Sequence, residues 1–145
     1  MAEQTSARVV VNAPAGDVME VIADFAQYPA WATGVSVSDV LATFPDGMAQ
    51  RVHFRLDVPP ICDEYTLEYE WALPHHVRWH LVRGQLLKAL NGRYALRPLT
   101  PETTEVTYWL SLDLHLPLIA ALKRRGEQVL VESALLGLKK RAEAR

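Results

Sequence analysis

The sequence predicts an α+β fold in which a curved antiparallel sheet of about seven strands wraps around one long C-terminal helix. Three observations lead to this fold class. A short β-branched segment and two short helical segments open the chain, a long region with a two-residue apolar period follows, and a region with helical period closes it. A chain of 145 residues fits one domain and buries enough surface to fold without a disulfide or a metal. We therefore expect residues 1–145 to form a single domain.

Composition and charge restrict the classes of protein to consider. Half of the residues are hydrophobic, 22% are charged and the net charge is −2, so no positive field exists to attract nucleic acid. The N-terminal residues 1–6 lack the basic and apolar regions of a signal peptide. No apolar run approaches the ~20 residues of a membrane-spanning helix. These features predict a cytoplasmic protein, monomer or homodimer, with no integral membrane association and no nucleic-acid partner.

The first strand and the two helical segments follow from local patterns. Arg8–Val11 is rich in β-branched residues and predicts a strand. Apolar residues then recur at helical spacing on one face: Val18, Val21, Ile22 and Phe25. Tyr28-Pro29 interrupts this pattern, so Gln27–Trp31 is predicted to form a second, short helical turn.

From Val35 onward apolar and polar residues alternate, which predicts an antiparallel sheet covered on one face. The inward positions are Val52, Phe54 and Leu56, then Tyr65, Leu67, Tyr69 and Trp71, then Val77, Trp79 and Leu81, then Leu90, Gly92, Tyr94 and Leu96, and last Val106, Tyr108, Leu110, Leu112 and Leu114. Turn residues separate the segments at 45–47, 59–60, 74–75 and 98–101. Short connections of this kind favour a meander.

The last element is a long helix. Pro117 is predicted to end the final strand, after which one stripe recurs at helical spacing: Leu118, Leu122, Val129, Ser133 and Leu136, with Ile119, Leu130 and Gly137 beside it. A strongly twisted sheet needs a cover on its apolar face. Because this helix is the only long one, we expect it to lie across the concave face with that stripe inward.

Four segments in this order resemble the START-like superfamily, also called SRPBCC or the Bet v 1-like helix-grip fold. They are Val9–Pro14, Asp24–Trp31 with a Tyr-Pro-x-Trp pattern, Gly92–Pro98 with Gly-x-Tyr-x-Leu-x-Pro, and Thr104–Tyr108 with Thr-x-Val-x-Tyr. The resemblance is closest to the bacterial polyketide cyclase/dehydrase and lipid-transport branch and covers almost the whole chain. It implies a START-like ligand-binding domain. Members range from ligand carriers to cyclases and receptors, so the fold does not name one activity.

The resemblance implies a cavity between the sheet and the long helix, lined mainly by apolar groups. The candidate ligand-binding residues are Trp31, Phe54, Tyr65, Tyr69, Trp79, Arg83, Tyr94, Tyr108, Val129 and Ser133. Buried tyrosine hydroxyl groups need partners, so the inward tyrosines are expected to supply the polar contacts that orient a ligand. We expect the Asp24–Gly34 segment and the Arg83–Lys88 loop to move to admit it.

Three functions are consistent with such a cavity. The first is binding or transport of a small hydrophobic molecule, such as a lipid, a polyketide or an aromatic metabolite. The second is a polyketide cyclase or dehydratase that polarises carbonyls with tyrosine, Arg83 or Ser133. The third is a protein-interaction module without a ligand. Most charged strand residues share the outward register, so acid–base groups for a cyclase are few, and no catalytic residue is identified.

Metal and cofactor chemistry find little support in the sequence. His75, His76 and His80 fall on alternating faces without further spaced ligands, so no metal site is predicted. No phosphate-binding glycine loop and no catalytic triad pattern occur, and no cofactor is expected. Cys62 is the single cysteine; the acidic neighbours Asp63 and Glu64 would raise the pKa of its thiol, which favours an unreactive side chain at a strand start.

Overall fold

The chain runs as a strand, two short helices, six strands and a long helix in the computed structural model, which describes residues 4–59, 61–115 and 120–145. The bounds are β1 (Thr5–Val11), α1 (Ala15–Ala23), a 3₁₀ turn (Phe25–Gln27), α2 (Tyr28–Trp31), β2 (Val35–Thr43), β3 (Ala49–Val58), β4 (Ile61–Ala72), β5 (His76–Gly84), β6 (Leu87–Thr100), β7 (Thr103–Leu114) and α3 (Ala120–Glu143). The predicted order of elements is confirmed. Pro60, Pro117, Leu118 and Ile119, which entered the predicted turns and helix stripe, lie outside the described residues.

The seven strands form one curved antiparallel sheet in the order β1-β7-β6-β5-β4-β3-β2. Strands β2 to β7 are a meander in which each strand pairs with the next, as predicted. The first strand joins the far side of this meander by pairing with β7, from Thr5 opposite Leu110 to Val11 opposite Thr104. The two short helices therefore connect the opposite edges of the sheet.

The two faces of the sheet differ as the alternation predicts. On β6, Leu90, Tyr94 and Leu96 are buried, whereas Asn91 and Arg93 between them are exposed. Polar side chains on the outer face pair across neighbouring strands, as in the ion pairs Arg51–Glu68 and Arg97–Glu105. Exposed pairs of this kind contribute little stability. The burial of the inner face therefore supplies most of the energy that holds the sheet to the helices.

Helix α3 packs mainly on β1, β7 and α1, but with a different face from the one predicted. Its buried residues are Gly126, Glu127, Val131, Leu135, Leu138 and Ala142. Leu122, Val129 and Leu136 of the predicted stripe are instead exposed to 46%, 40% and 54%. The prediction of the stripe was wrong because consecutive apolar residues, as in 129–131 and 135–136, allow more than one stripe with helical period.

A buried carboxylate connects α3 to the sheet in this rotation. Glu127 is 2% exposed. Its carboxylate accepts hydrogen bonds from the hydroxyl group of Thr5 at 2.8 Å and from the backbone N–H of Leu112 at 2.9 Å. Because a buried carboxylate without such donors is strongly disfavoured, these bonds oppose any rotation that would move Glu127 off β1 and β7.

Candidate ligand-binding cavity

The inner face of the sheet and the helices surround a cavity with a volume of about 100 Å³. Helix α3 packs on β1 and β7. The inner sides of β3 to β6 are therefore covered by α2 and the residues after it. The lining residues are Tyr28, Trp31, Ala32, Thr33, Val35, Phe54, Leu56, Tyr65, Leu67, Tyr69, Trp79, Leu90, Tyr94, Tyr108, Leu110, Leu130 and Ala134. None of these described lining residues carries a charged side chain.

Seven of the ten candidate residues meet at this cavity. They are the aromatic ones: Trp31, Phe54, Tyr65, Tyr69, Trp79, Tyr94 and Tyr108. Six of them occupy inward positions of the strands, and Trp31 ends α2 above them. The alternation of the strands therefore brings together side chains that are up to 77 residues apart in the sequence, as for Trp31 and Tyr108.

Arg83 does not reach the cavity and is exposed. The pairing of β4 with β5 is irregular at this point, since Leu67 lies opposite Leu81 but Thr66 lies opposite Arg83. One extra residue on β5 reverses the alternation beyond it, so Arg83 does not share the inward direction of Trp79 and Leu81. The sequence-based assignment of Arg83 to the inner face was therefore wrong.

Val129 and Ser133 also lie outside the cavity lining, because α3 is rotated relative to the predicted stripe. Val129 is exposed, and Ser133 is half-buried. The next residues along the chain, Leu130 and Ala134, line the cavity in their place. The prediction that Val129 and Ser133 face the cavity was therefore wrong.

The sequence analysis did not name Tyr28 as a site residue, although it lines the cavity. It is the tyrosine of the Tyr-Pro-x-Trp segment, so the resemblance to the family pattern could have identified it as a site residue. Its hydroxyl group donates a hydrogen bond to the backbone carbonyl of Ile22. This bond joins α2 to the end of α1 and places the ring of Tyr28 4.9 Å from that of Trp31, measured between centroids.

The lining rings form two groups in contact, which Phe25 behind the wall joins through Tyr28 and Tyr69. Ring centroids of Tyr69 and Trp79 lie 5.5 Å apart, those of Trp79 and Tyr94 5.3 Å, and those of Tyr94 and Tyr108 4.7 Å. On the other side, Phe54 contacts both Tyr65 and Tyr28. These tilted and edge-on contacts are the arrangements that aromatic pairs prefer. The wall of the cavity is consequently made largely of ring surfaces.

All five tyrosines of the chain line the cavity. Burial raises the pKa of each of them above the ordinary value of 10.0. Electrostatic repulsion by Tyr108 raises the pKa of the other four further. At neutral pH the cavity therefore presents uncharged phenol groups, which can donate or accept hydrogen bonds but are poor acids.

Asp63, named above only as a neighbour of Cys62, anchors the turn between β5 and β6. Its buried carboxylate accepts hydrogen bonds from the backbone N–H groups of Gln85 at 3.1 Å, Leu86 at 3.0 Å and Leu87 at 2.9 Å. Hydrogen bonds from backbone donors to an ionised carboxylate are among the stronger ones in proteins. They hold the turn between β5 and β6 close to the start of β4.

Cys62 is exposed and makes a local contact. Its thiol donates a hydrogen bond to Asp57 Oδ1 at 3.1 Å, which raises the pKa of the thiol. The cause of the raised pKa is thus Asp57 on the neighbouring strand rather than Asp63 or Glu64. A thiol with a raised pKa is a weak nucleophile, and Cys62 lies outside the cavity lining.

Within the ranges that the structure describes, no group of three or more His, Cys, Asp or Glu side chains is arranged to hold a metal ion. In those same ranges no helix is both long and apolar enough to cross a membrane.

The arrangement of the cavity suits the desolvation of an apolar molecule and its orientation by phenol groups.

Solved structures with the same fold come from several bacteria. The chain superimposes on a START superfamily protein from Mycobacterium smegmatis with a TM-score of 0.91 and 20% identity, covering 97% of both chains. A protein from Thermus thermophilus superimposes with a TM-score of 0.83 and 22% identity, and the match covers 98% of both chains. The Zhui aromatase/cyclase from Streptomyces sp. R1128 superimposes with a TM-score of 0.83 and 17% identity, and the match covers 100% of this chain and 96% of that one. At these identities the likeness concerns the fold alone.

No curated protein matches this sequence significantly. The family model described as "Polyketide cyclase / dehydrase and lipid transport" matches residues 2–143, which is nearly the entire chain. The match agrees with the seven-stranded sheet, the long C-terminal helix and the cavity between them. The chain therefore belongs to the polyketide cyclase/dehydrase and lipid-transport family.

Proposed function

We propose that this protein binds a small hydrophobic molecule in the cavity between the sheet, α2 and α3, and that it stores or carries this molecule without transforming it. The observation that carries the proposal is an uncharged cavity walled by aromatic rings, in a chain whose family includes lipid-transport proteins. We propose that residues 1–145 act as one ligand-binding domain.

The size of the cavity limits what it admits in this conformation. Pockets for drug-sized ligands have volumes of roughly 300–1,000 Å³, compared with about 100 Å³ here. An apolar cavity of roughly 150 Å³ holds a single benzene ring. The cavity here is smaller than that, so even a molecule of one ring has to displace part of the wall. Entry of the ligand therefore expands the cavity.

Trp31 is the part of the wall that can move at least cost. It lines the cavity and also two depressions on the outer surface, so its side chain separates the inside from solvent. Its indole N–H is buried and has no hydrogen-bond partner among the described residues. It ends α2, a helix of only four residues. An unpaired buried donor and a short helix both favour local opening.

The Arg83–Lys88 loop is anchored, because Asp63 accepts hydrogen bonds from the backbone N–H groups of Gln85, Leu86 and Leu87. We therefore propose entry through the Asp24–Gly34 segment alone, rather than through both predicted segments. Hydrogen–deuterium exchange should show faster exchange in residues 28–34 than in residues 85–87. Equal protection of residues 28–34 and the central strands would contradict this gate.

Native mass spectrometry of the protein purified from its own host, followed by solvent extraction, tests the function directly. We expect a stoichiometric hydrophobic molecule to be released on extraction. Ala134→Phe fills the cavity and should abolish its retention, whereas Leu136→Phe places the same ring on the exposed side of α3 and should leave it unchanged. An empty protein that takes up no member of a panel of fatty acids, flavonoids and polyketide analogues would refute the proposal.

A polyketide cyclase or dehydratase is the second candidate, and its support is the family together with the fold shared with the Zhui aromatase/cyclase. The residues argue against it. Ring closure of a poly-β-ketone needs groups that stabilise enolates and transfer protons. Arg83 is exposed, Ser133 is outside the lining and the tyrosines have raised pKa values. Turnover of a poly-β-ketone analogue, lost in Tyr94→Phe, would favour the cyclase over the carrier.

A further inference from the structure

Four of the cavity tyrosines have hydroxyl groups without a partner in the described part of the protein. Tyr28 is the exception, since its hydroxyl group is bonded to the carbonyl of Ile22. No hydrogen bond joins the hydroxyl groups of Tyr65, Tyr69, Tyr94 and Tyr108 to any group of the described chain. Tyr65, Tyr69 and Tyr94 are only 7%, 4% and 5% exposed. Because these residues line the cavity and their oxygens are not among the buried side-chain atoms that lack a partner, the four hydroxyl groups are accessible to a molecule that enters it.

These hydroxyl groups come from three different strands yet face one space. Tyr65 and Tyr69 lie on β4, Tyr94 on β6 and Tyr108 on β7, with Trp79 of β5 between them. The ring of Trp79 contacts those of Tyr69, Tyr94 and Tyr108, and the ring centroids of Tyr94 and Tyr108 lie 4.7 Å apart. A single molecule in the cavity can therefore contact more than one of these phenol groups, and such paired contacts orient it.

No charged side chain of the described residues lines the cavity, so the lining holds no cationic one. An anion that enters would lose its hydration without gaining a counter-charge. Buried anions need a cationic partner, which this cavity does not offer.

We infer that Tyr65, Tyr69, Tyr94 and Tyr108 determine ligand specificity: they select an uncharged, compact molecule with hydroxyl or carbonyl oxygens and discriminate against carboxylates of the same shape. This inference rests on the proposed binding function and names the ligand class for it. It separates an oxygen-bearing neutral ring from a fatty-acid anion and from a plain hydrocarbon. The aromatic wall contacts the apolar part of the ligand, and the phenol groups discriminate among molecules of equal size.

Three probes of nearly identical shape test the inference at neutral pH by calorimetric or fluorescence titration. They are para-hydroxyacetophenone, which is uncharged, para-hydroxybenzoate, which is an anion, and para-ethyltoluene, which has no oxygen. We expect the ketone to bind about tenfold or more tightly than either of the others, since each lost or unpaired polar contact costs about a factor of ten.

Tyrosine-to-phenylalanine variants assign the effect to the hydroxyl groups while keeping the rings. Tyr69→Phe and Tyr94→Phe should each weaken binding of the ketone about tenfold and leave binding of the hydrocarbon unchanged. Thr107→Val is the matched control, because it removes a hydroxyl group next to Tyr108 on β7 that lies outside the cavity lining. Its affinity for all three probes should stay as in the parent protein. Circular dichroism verifies that each variant is folded.

The outcomes separate this inference from the function on which it rests. If the ketone and the hydrocarbon bind equally and the variants change neither affinity, the cavity binds apolar molecules but the phenol groups do not select them, and the inference fails. Tighter binding of para-hydroxybenzoate, or of para-hydroxyphenyltrimethylammonium as a cationic probe, also overturns it. If no probe binds and extraction releases nothing, the proposed binding function fails as well.

Discussion

At the scale of single residues, close approaches set the shape of the cavity wall. Gly92 lies directly opposite Trp79 across the β5–β6 pair, and the indole ring lies over it. A Cβ atom at position 92 would be 2.4 Å from the indole ring of Trp79. The glycine thus allows Trp79 to lie flat on the sheet, where its ring contacts Tyr69, Tyr94 and Tyr108.

Gly92→Ala should destabilise the protein by about 1–3 kcal/mol, because Trp79 must leave its position in a packed wall. Denaturant unfolding measures the change in the free energy of unfolding. Gly16→Ala in α1 is the control, since a Cβ there meets no atom within 4 Å, and we expect it to stabilise by up to about 1 kcal/mol. Equal stability of Gly92→Ala and the parent protein would show that Trp79 does not rest on Gly92.

At the scale of elements, the rotation of α3 decides what lines the cavity. The helix presents Leu135 and Leu138 to β1 and β7, with exposed fractions of 3% and 0%, and Leu130 and Ala134 to the cavity. The hydrogen bonds of Glu127 to Thr5 and Leu112 support this rotation. A rotation by one residue, about 100°, would remove Leu130 and Ala134 from the wall.

Leu135 and Leu136 are adjacent leucines that test this rotation. Leu135→Ala should lower the free energy of unfolding by about 2–5 kcal/mol, because it removes buried side-chain volume. Leu136 is 54% exposed, so Leu136→Ala should change stability by no more than about 0.5 kcal/mol. Thermal or denaturant unfolding of the two variants gives the comparison. A larger loss for Leu136→Ala would mean that α3 packs with the face predicted from the sequence.

At the scale of the whole molecule, the buried tyrosines make the free energy of unfolding depend on pH. In the folded protein the pKa of all five is raised, chiefly by burial, whereas in the unfolded chain it returns to about 10. Above pH ~10 the folded state therefore binds more protons than the unfolded state. The stability that these neutral phenols contribute is fully present below pH ~10 and is lost as the pH rises further.

We expect cooperative alkaline unfolding above pH ~10, since five tyrosines that ionise only on unfolding lower the free energy of unfolding by up to roughly 7 kcal/mol per pH unit. Circular dichroism and the absorbance of tyrosinate should change together as the pH is raised. Each of Tyr69→Phe and Tyr94→Phe should reduce the slope by up to about 1.4 kcal/mol per pH unit. Ionisation of most tyrosines near pH 10 with the fold intact would contradict this prediction.

The sequence alone determined the fold and much of the wall of the cavity. Alternation over β3 to β7 identifies inward side chains because successive residues of a strand point to opposite faces, whatever the strand packs against. Phe54, Tyr65, Tyr69, Trp79, Tyr94 and Tyr108 were placed inward on this ground and lie there. The Tyr-Pro-x-Trp segment placed Trp31 in a short helix, which α2 confirms.

The tertiary structure alone decided the features that depend on contacts between elements. The rotation of α3 follows from its packing on β1 and β7 and from Glu127, since its sequence is compatible with more than one apolar face. Arg83 faces outward because the pairing of β4 with β5 shifts by one residue, which no local pattern signals. The anchoring of residues 85–87 by Asp63 and the four unpaired tyrosine hydroxyl groups likewise depend on distances between strands. Local periodicity specifies the direction of each side chain within its element, but only packing specifies what that side chain meets.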